Sequence, residues 1–261
     1  MLIDVHAHLS GEEYNEIGGI EGVLAGMEQE GVTRVIASGF DLASSVRSKE
    51  LAERYPQVYF CAGFHPSELG KWQPGDWERL EDLCRHEKCV AVGEIGLDYH
   101  YENNPSKQAQ AEAFLTQLQI AARLGLPVVI HSRDAAEDTY EFLACHGDLL
   151  KHGGLMHCYS YSPEMLVRFA GQGLYFSFGG TSTFKNAKKV AESVQRIPAT
   201  RILSETDCPY LTPVPYRGVF PNQPKNVKHV VERLAELRGV SVQEMAEQIL
   251  QNAKALFQKL N

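Results

Sequence analysis

The feature that most constrains the fold is an alternation of short β-rich runs with helix-forming segments along all 261 residues. The predicted strands cover residues 2–8, 34–39, 58–65, 90–96, 127–132, 154–159, 174–178 and 201–207. The predicted helices cover 20–30, 42–54, 76–87, 106–124, 135–146, 163–171, 184–196 and 225–238, with a further helix over 241–258. Strands that alternate with helices of this length predict βαβ units and a parallel sheet.

Two parallel architectures are compatible with this alternation. Eight strand–helix pairs favour a closed (β/α)8 TIM barrel in the α/β class, a single domain over 1–261 with an extra C-terminal helix. An open doubly wound sheet normally carries a glycine-rich phosphate loop after an early strand. Neither Gly18-Gly19 nor Gly179-Gly180 matches such a loop. We therefore expect the barrel, with the irregular segment 208–224 forming a functional loop after the last strand.

The composition excludes several classes of protein. The start of the chain has no basic segment followed by an apolar one, so we predict no signal peptide, and no apolar run is long enough to span a bilayer. Six cysteines without a CxxC pair are typical of reduced thiols and predict a cytoplasmic protein. The net charge of −8 argues against nonspecific coating of nucleic acid, which depends on lysine and arginine displacing counterions. A phosphodiester substrate stays open, because bound divalent ions would change the charge inside a cleft.

Side chains of the types that bind metals occur at the ends of most predicted strands. They are His6 and His8 on the first strand, His65 on the third, Glu94 on the fourth, His131 on the fifth, His157 on the sixth and Asp207 on the eighth. In a TIM barrel these ends share one rim, and active sites are built there. We therefore expect these residues to converge in space.

The two-residue period of a β-strand places these residues on the inner face of the barrel. In the first strand Asp4, His6 and His8 share that face, whereas the intervening apolar residues pack against the helices. The metal-binding residue comes last on its strand, as a site above an apolar core requires. Glu205, two residues before Asp207, and Asp4, two residues before His6, are expected to orient the ligands.

Four imidazoles, one glutamate and one aspartate suit zinc, manganese, iron or cobalt better than calcium or magnesium alone. Six side chains exceed the need of one tetrahedral ion, so we predict two divalent ions per chain, with zinc, manganese or magnesium as candidates. The assignment is His6, His8 and Asp207 to the first ion, His131 and His157 to the second, and Glu94 as the bridge. Glu94 and Asp207 are the predicted catalytic residues, and Asp207 would accept the proton of the attacking water.

Each of these residues also has an ordinary structural explanation. A His-x-His pair occurs by chance on strands, a lone histidine is commonly a hydrogen-bonded core residue, and a lone carboxylate commonly caps a helix. Their joint placement at strand ends favours the metal site over these separate explanations.

A series of short motifs follows one order along nearly the whole chain. They are Asp4-Val5-His6-Ala7-His8, Gly63-Phe64-His65-Pro66, Gly93-Glu94-Ile95-Gly96-Leu97-Asp98-Tyr99, His131-Ser132-Arg133, His157-Cys158, Glu205-Thr206-Asp207 and Pro213-Val214-Pro215-Tyr216-Arg217-Gly218. Together they resemble the TatD family of metal-dependent deoxyribonucleases, which are amidohydrolase-like barrels. The resemblance implies the same six metal positions, contacts from His65 and Arg133 to the substrate phosphate, and cleavage of nucleic acid at its 3′ end. Arg217, in the last motif, is a third candidate substrate-binding residue.

The sequence departs from the family pattern in two loops. After His157 the family commonly has an aromatic residue followed by Ser-Gly, whereas residues 159–162 read Tyr-Ser-Tyr-Ser. After Gly218 the usual basic residue is missing, and residues 219–224 follow instead. Both changes bear on substrate preference and leave the metal ligands intact.

The predicted function is metal-dependent hydrolysis of phosphodiester bonds by a 3′–5′ exodeoxyribonuclease, with RNA as a further substrate and no membrane or obligate protein partner. One alternative is hydrolysis of an amide, lactone or phosphotriester, as in related barrels. Many of those bridge their ions with a carboxylated lysine, whereas here Glu94 holds that position and Lys88 precedes the strand. Another alternative is a metal-binding scaffold without turnover, against which the complete ligand set and Arg133 both argue.

Overall fold

The computed structural model describes residues 1–260, and within that range eight parallel strands form a nearly closed barrel. The strands are β1 (Leu2–Ala7), β2 (Val32–Ser38), β3 (Val58–Ala62), β4 (Cys89–Asp98), β5 (Val128–Arg133), β6 (Gly154–Met156), β7 (Tyr175–Phe178) and β8 (Ile202–Ser204). Each strand is hydrogen-bonded in parallel to the next one along the chain. The prediction of a (β/α)8 TIM barrel is therefore confirmed.

The helices follow the strands in the order that βαβ units require. They are α1 (Gly19–Gln29), α2 (Leu42–Arg54), α3 (Asp76–Cys84), α4 (Lys107–Leu124), α5 (Ala136–Cys145), α6 (Pro163–Gly171), α7 (Lys188–Arg196), α8 (Val227–Arg238) and α9 (Val242–Leu256). The predicted extra C-terminal helix is α9, which begins at a capping box of Ser241 and Glu244. The Asn252 amide in α9 donates to the carbonyls of Ala199 and Ile202, at 2.7 and 2.8 Å. This contact holds α9 at the amino end of β8, opposite the rim.

Backbone hydrogen bonds at the carboxyl ends of β1 and β8 close the barrel. The N–H of Asp207 donates to the carbonyl of His6 at 3.0 Å, and the N–H of His8 donates to the carbonyl of Cys208 at 2.7 Å. Asp4 is fully buried beside this seam and accepts hydrogen bonds from the N–H of Thr206, at 2.9 Å, and from its hydroxyl, at 2.5 Å. The first and last strands therefore meet at the level of the predicted metal ligands.

Three strands end three residues earlier than the sequence predicts. β3, β6 and β8 end before His65, His157 and Asp207, so these residues lie in the loops that follow their strands. After β6 and β8 the backbone turns, because Cys158 and Asp207 adopt the left-handed conformation, with φ of 46° and 53°. In contrast, β4 continues two residues past its predicted end and pairs there with β5.

Two helices begin two or more residues later than predicted, and a short 3-10 turn precedes each of them. A turn over Gly180–Thr183 comes before α7, which begins at Lys188 rather than at residue 184. A turn over Pro224–Asn226 comes before α8, which begins at Val227 rather than at residue 225.

Two further features of the fold are the length and polarity of its helices and the state of its cysteines. Along residues 1–260, every helix is either too short or too polar to cross a lipid bilayer. The six cysteines are free thiols, and four of them are buried.

Candidate metal centre

The predicted ligands meet in a cavity of about 400 Å³ at the carboxyl ends of the strands. Five of them line this cavity: His8, Glu94, His131, His157 and Asp207. The sixth, His6, is fully buried beneath them. Residues from opposite ends of the chain thus share one site, as the strand-end pattern predicts.

The first donor group consists of His6, His8, Asp207 and one oxygen of Glu94. The Nε2 atoms of His6 and His8 are 3.3 Å apart, and Oε2 of Glu94 lies 3.4 and 3.6 Å from them. Oδ1 of Asp207 lies 3.7 Å from Nε2 of His6 and 3.4 Å from Nε2 of His8. A tetrahedral ion with bonds of about 2.0–2.2 Å separates its ligand atoms by about 3.3–3.6 Å. The donor atoms therefore have the spacing of a tetrahedral divalent-cation site.

The second donor group consists of His131, His157 and the other oxygen of Glu94. Oε1 of Glu94 lies 2.8 Å from Nδ1 of His131 and 2.7 Å from Nε2 of His157, and the two nitrogens are 3.3 Å apart. Neighbouring ligands of a six-coordinate ion with bonds of about 2.1 Å are about 3.0 Å apart. This group also fits a divalent cation, and its smaller number of protein donors leaves coordination positions for water or substrate.

Glu94 lies between the two groups because β4 and β5 approach closely at the rim. Its side chain is almost completely buried, and its N–H donates to the carbonyl of Gly39 at 3.0 Å. Gly96, with a φ of 142°, lies so close to the carbonyl of His131 that a Cβ atom would collide with it. Only glycine fits there, and this allows the Glu94 carboxylate to reach His131.

Ser38, buried at the end of β2, orients both histidines of the first group. Its hydroxyl lies 3.1 Å from Nδ1 of His6, and its carbonyl accepts a 3.1 Å hydrogen bond from Nδ1 of His8. Because the Nδ1 atoms have these partners, the Nε2 lone pairs are available to a cation.

Carboxylates orient the two histidines of the second group. Nε2 of His131 donates to Oδ2 of Asp98 at 3.0 Å, which leaves Nδ1 facing Glu94. Nδ1 of His157 lies 3.7 Å from Oε1 of Glu205, and neither atom has a hydrogen-bond partner within residues 1–260. Metal-binding histidines commonly have such a carboxylate behind the ring, so this arrangement fits the predicted roles of His131 and His157.

The two central carboxylates are negatively charged even without a cation. Burial alone would raise the pKa of Glu94, but the charge of His157 and hydrogen bonds from His131 and His157 hold it well below its usual range. Burial opposes ionisation of Asp207 in the same way, and the neighbouring His8 still lowers its pKa. Two ionised carboxylates in a buried site favour divalent cations.

The ring of His65 carries its proton on the nitrogen that faces the centre, so it can donate a hydrogen bond there but cannot bind a cation through that nitrogen. Its Nδ1 accepts a 3.1 Å hydrogen bond from the N–H of Ser67, so the proton of the neutral ring is on Nε2. Burial and the nearby His131 lower the pKa of His65 to about 3, which keeps the ring neutral. The Nε2–H group lies 3.6 Å from Oε1 of Glu94 and is directed towards the centre.

The two arginines predicted to bind substrate occupy different places. Arg133 lines the cavity, and its guanidinium lies 5.3 Å from the ring centre of Tyr101, with Nη1 3.4 Å from the Tyr101 hydroxyl. Arg217 instead stacks over Phe184 at 4.0 Å and does not line the cavity. The structure thus brings Arg133, but not Arg217, to the predicted centre.

Asp4 contacts the backbone near the ligands rather than their rings. It accepts from the N–H of His6 at 3.3 Å and from Thr206, whereas Ser38 contacts the His6 ring. Burial raises the pKa of Asp4 to about 8. Asp4 therefore braces the seam between β1 and β8, and Glu205 is the residue that faces a ligand ring directly.

The whole chain resembles one known family. Residues 3–258 match the model described as TatD related DNase. The chain belongs to the TatD-related DNase family. Membership, together with the relatives below, identifies it as a metal-dependent hydrolase.

Relatives match this TatD-family protein over nearly their full length. A Bacillus subtilis protein named as the uncharacterized metal-dependent hydrolase YabD is 42% identical over 98% of this chain and 99% of its own length. The 3′-5′ ssDNA/RNA exonuclease TatD of Salmonella typhimurium is 32% identical over 98% of this chain and 99% of its own length. The crystal structure of YjjV, a TatD homologue from Escherichia coli K12, superposes with a TM-score of 0.91 at 32% identity and 98% coverage of both chains.

Sequence reasoning missed two residues of the centre in this TatD-family protein. Asp98, which holds His131, lies four residues after Glu94 on the same strand face, so strand periodicity carried a signal for it. Ser38 ends β2 and holds His6 and His8, but a single serine at a strand end gives no such signal.

Backbone strain is concentrated around the same rim. Within residues 1–260, the residues other than glycine with positive φ are Asp134, Cys158, Asp207 and Leu211. They follow β5, β6 and β8, at the carboxyl ends where the cavity opens. Such conformations persist where the surrounding structure enforces them, commonly at functional sites.

Proposed function

We propose that this TatD-family hydrolase removes nucleotides from the 3′ end of single-stranded DNA, and of RNA, with two divalent ions in its centre. The observation that supports this most is the position of Glu94 between the donor groups. Its Oε2 faces His6 and His8, and its Oε1 faces His131 and His157. Two ions bridged in this way are common in enzymes that hydrolyse phosphodiesters.

The residues of the centre divide the work of phosphodiester hydrolysis among them. When bound, the ions would activate the attacking water and stabilise the charge that develops on the phosphate. Asp207 is ionised and accepts the proton of that water. His65 donates its Nε2–H to a phosphate oxygen, and the guanidinium of Arg133 binds a second one.

The shape of the mouth supports a polymer substrate. A second cavity of about 440 Å³ adjoins the first, and both are lined by Tyr101, His131, Arg133, His157, Asp207 and Tyr210. A strand can therefore place one nucleotide on each side of a phosphate at the centre. The enclosed floor favours the end of a strand over the middle of a duplex. The Salmonella relative is named as a 3′-5′ ssDNA/RNA exonuclease, and this supports the same polarity and substrates.

The main alternative is a small-molecule hydrolase with a carboxylated lysine as bridge. The nearest lysine in sequence, Lys88, donates from Nζ to the carbonyls of Ala52, at 2.6 Å, and Tyr55, at 2.9 Å. It therefore lies next to the start of β4, at the opposite end of the barrel from Glu94. This position favours the nuclease. Free, mostly buried thiols support action in the cytoplasm.

The deciding experiment compares 5′-labelled single-stranded DNA, duplex DNA and RNA in the presence of Mg²⁺, Mn²⁺ or Zn²⁺. The expected result is a ladder of products shortened from the 3′ end, with single strands preferred and with no products from Asp207→Asn. Intact nucleic acid alongside turnover of a lactone or phosphotriester would instead assign the protein to the small-molecule hydrolases. Bound metal without turnover of any substrate would indicate a scaffold.

A further inference from the structure

Two aromatic rings are exposed side by side where the cavity opens to solvent. Tyr210 lines both cavities, and 55% of its surface is exposed. Phe220 lies beyond it, outside both cavities, and is 61% exposed. The ring centres are 6.4 Å apart with the planes tilted by 40°. The two neighbouring rings thus extend from the mouth of the cavity towards solvent.

Hydrogen bonds fix the loop 208–224 that presents these rings. The side chain of Asn222 is fully buried and donates to the carbonyls of Tyr210, at 2.7 Å, and Thr206, at 3.2 Å. The N–H of Asn222 donates to the carbonyl of Pro209 at 2.8 Å. The hydroxyl of Thr212 donates to the carbonyl of Val219 at 2.6 Å. The exposed rings are therefore held on an ordered backbone, and a ligand would bind them with little ordering cost.

The loop is also joined directly to the predicted centre. The N–H of Tyr210 donates to the carbonyl of Asp207 at 3.1 Å, in the turn that follows the ligand. The position of the Tyr210 ring is thereby set relative to the first donor group. A substrate held by the centre would find this ring at a fixed place beside it.

The opposite wall of the mouth offers a different kind of surface. Tyr101 is exposed there, but the Arg133 guanidinium lies over its ring at 5.3 Å and His100 contacts it edge-on at 4.7 Å. His100 is in turn paired with Asp134 at 2.8 Å. Tyr101 is thus engaged in positioning Arg133, whereas Tyr210 and Phe220 are the rings available to a ligand.

We propose that Tyr210 and Phe220 form a stacking platform for unpaired bases on the 5′ side of the phosphate held at the centre. This inference rests on the proposed function and adds the path of the strand to it. If the 3′-terminal nucleotide occupies the cavity, the rest of the strand leaves past this wall. Stacking on aromatic rings is independent of sequence and requires unpaired bases. It also suits a chain with a net charge of −8, which is poorly suited to bind a long strand by charge alone.

The test is the dependence of kcat/KM on strand length, measured with a DNA dinucleotide and an octanucleotide that share their 3′ end. The double variant Tyr210→Ala/Phe220→Ala should lower the octanucleotide-to-dinucleotide ratio by about tenfold or more, as expected for lost base stacking. The conservative double variant Tyr210→Phe/Phe220→Tyr keeps both aromatic rings and should keep the wild-type ratio. In contrast, Phe220→Leu should lower the ratio as much as Phe220→Ala does, because leucine has no π face.

Tyr216→Ala is the matched control, because Tyr216 is in the same loop and 50% exposed but packs near His229, away from both cavities. It should keep the wild-type ratio. An equal ratio in wild type and in the alanine double variant would overturn the platform while leaving the nuclease in place. A wild-type protein that cleaves neither oligonucleotide would overturn the proposed function and the platform together.

Discussion

The backbone N–H of Asp207 donates a 3.0 Å hydrogen bond to the carbonyl of His6. Two predicted ligands of the same cation are thus joined through the main chain as well as through their side chains. The hydrogen bonds that close the barrel and the first donor group therefore share the residues His6 and Asp207. Changes to His131, on β5, and to His157, in the loop after β6, should therefore be separable from changes that open the barrel.

His157→Ala is expected to remove one cation without unfolding the protein. His157 supplies one of the nitrogens of the second group and takes no part in the β1–β8 seam. The metal content should fall from about two ions per chain to about one, and nuclease activity should be largely lost. Elemental analysis and far-ultraviolet circular dichroism measure the two quantities, and His152→Ala, an exposed histidine, is the control. Unchanged metal content would contradict the assignment of His157.

Asp98→Asn is expected to weaken the second site without removing any predicted ligand. The carboxylate of Asp98 accepts from Nε2 of His131 and so fixes the proton on that nitrogen. An amide in its place removes the charge that supports the ring, and the affinity for the second ion or the activity should fall by about 10–100-fold. Metal titration of the apoprotein measures this, with the exposed Asp148→Asn as control. Wild-type affinity would show that Asp98 does not support His131.

Arg133→Ala should impair substrate binding more than Arg217→Ala does. Arg133 lines the cavity, whereas Arg217 stacks on Phe184 outside it. Loss of a hydrogen bond to a charged phosphate predicts about a tenfold to hundredfold higher KM for Arg133→Ala. Metal content should stay at the wild-type level in both variants. The reverse order of the two KM values would place the phosphate contact at Arg217, as the sequence motif alone allows.

Asp4→Asn should change how stability depends on pH. Burial raises the pKa of Asp4 from 3.8 to about 8, so the folded chain retains a proton that the unfolded chain has already released. The wild-type protein therefore loses stability through this group as the pH rises from about 4 to about 8. Asparagine does not titrate, so the free energy of unfolding of the variant should rise relative to wild type over the same window. Urea denaturation across the window measures it, and a constant difference would contradict the raised pKa.

Asn222→Ala is expected to destabilise the loop that carries the aromatic platform. The substitution leaves the buried carbonyl of Thr206 and the carbonyl of Tyr210 without their donor. An unsatisfied buried group costs about 1–3 kcal/mol, so the loss should be about 2–4 kcal/mol. Chemical denaturation measures it, with Asn103→Ala, an exposed asparagine, as the control. A loss no larger than that of the control would mean that Asn222 does not hold the loop.

The fold and the convergence of the ligands could be read from the sequence because both depend on strand periodicity. The alternation of strands and helices predicts the barrel, and the polar residues at strand ends predict which side chains meet. The exact ends of the strands were harder to predict. β6 and β8 stop where Cys158 and Asp207 take left-handed conformations, which depend on the packing of the rim rather than on local propensity.

The residues that support the ligands were less visible in the sequence. Ser38 acts through one hydroxyl and one carbonyl, and its role depends on the spacing of β1 and β2. Arg217 lies in a loop whose path is set by buried polar contacts, such as those of Asn222. A motif identifies such a loop but does not fix the direction of its side chains.

The distribution of the ligands along the chain also determines when the centre can exist. His6 and His8 are synthesised before strands β2 to β8, whereas Glu205 and Asp207 are synthesised after all eight strands. A nascent chain thus carries donor atoms without the complete donor groups. A cation that needs all the donors of the first group would therefore bind only after the eight strands of the barrel have been synthesised.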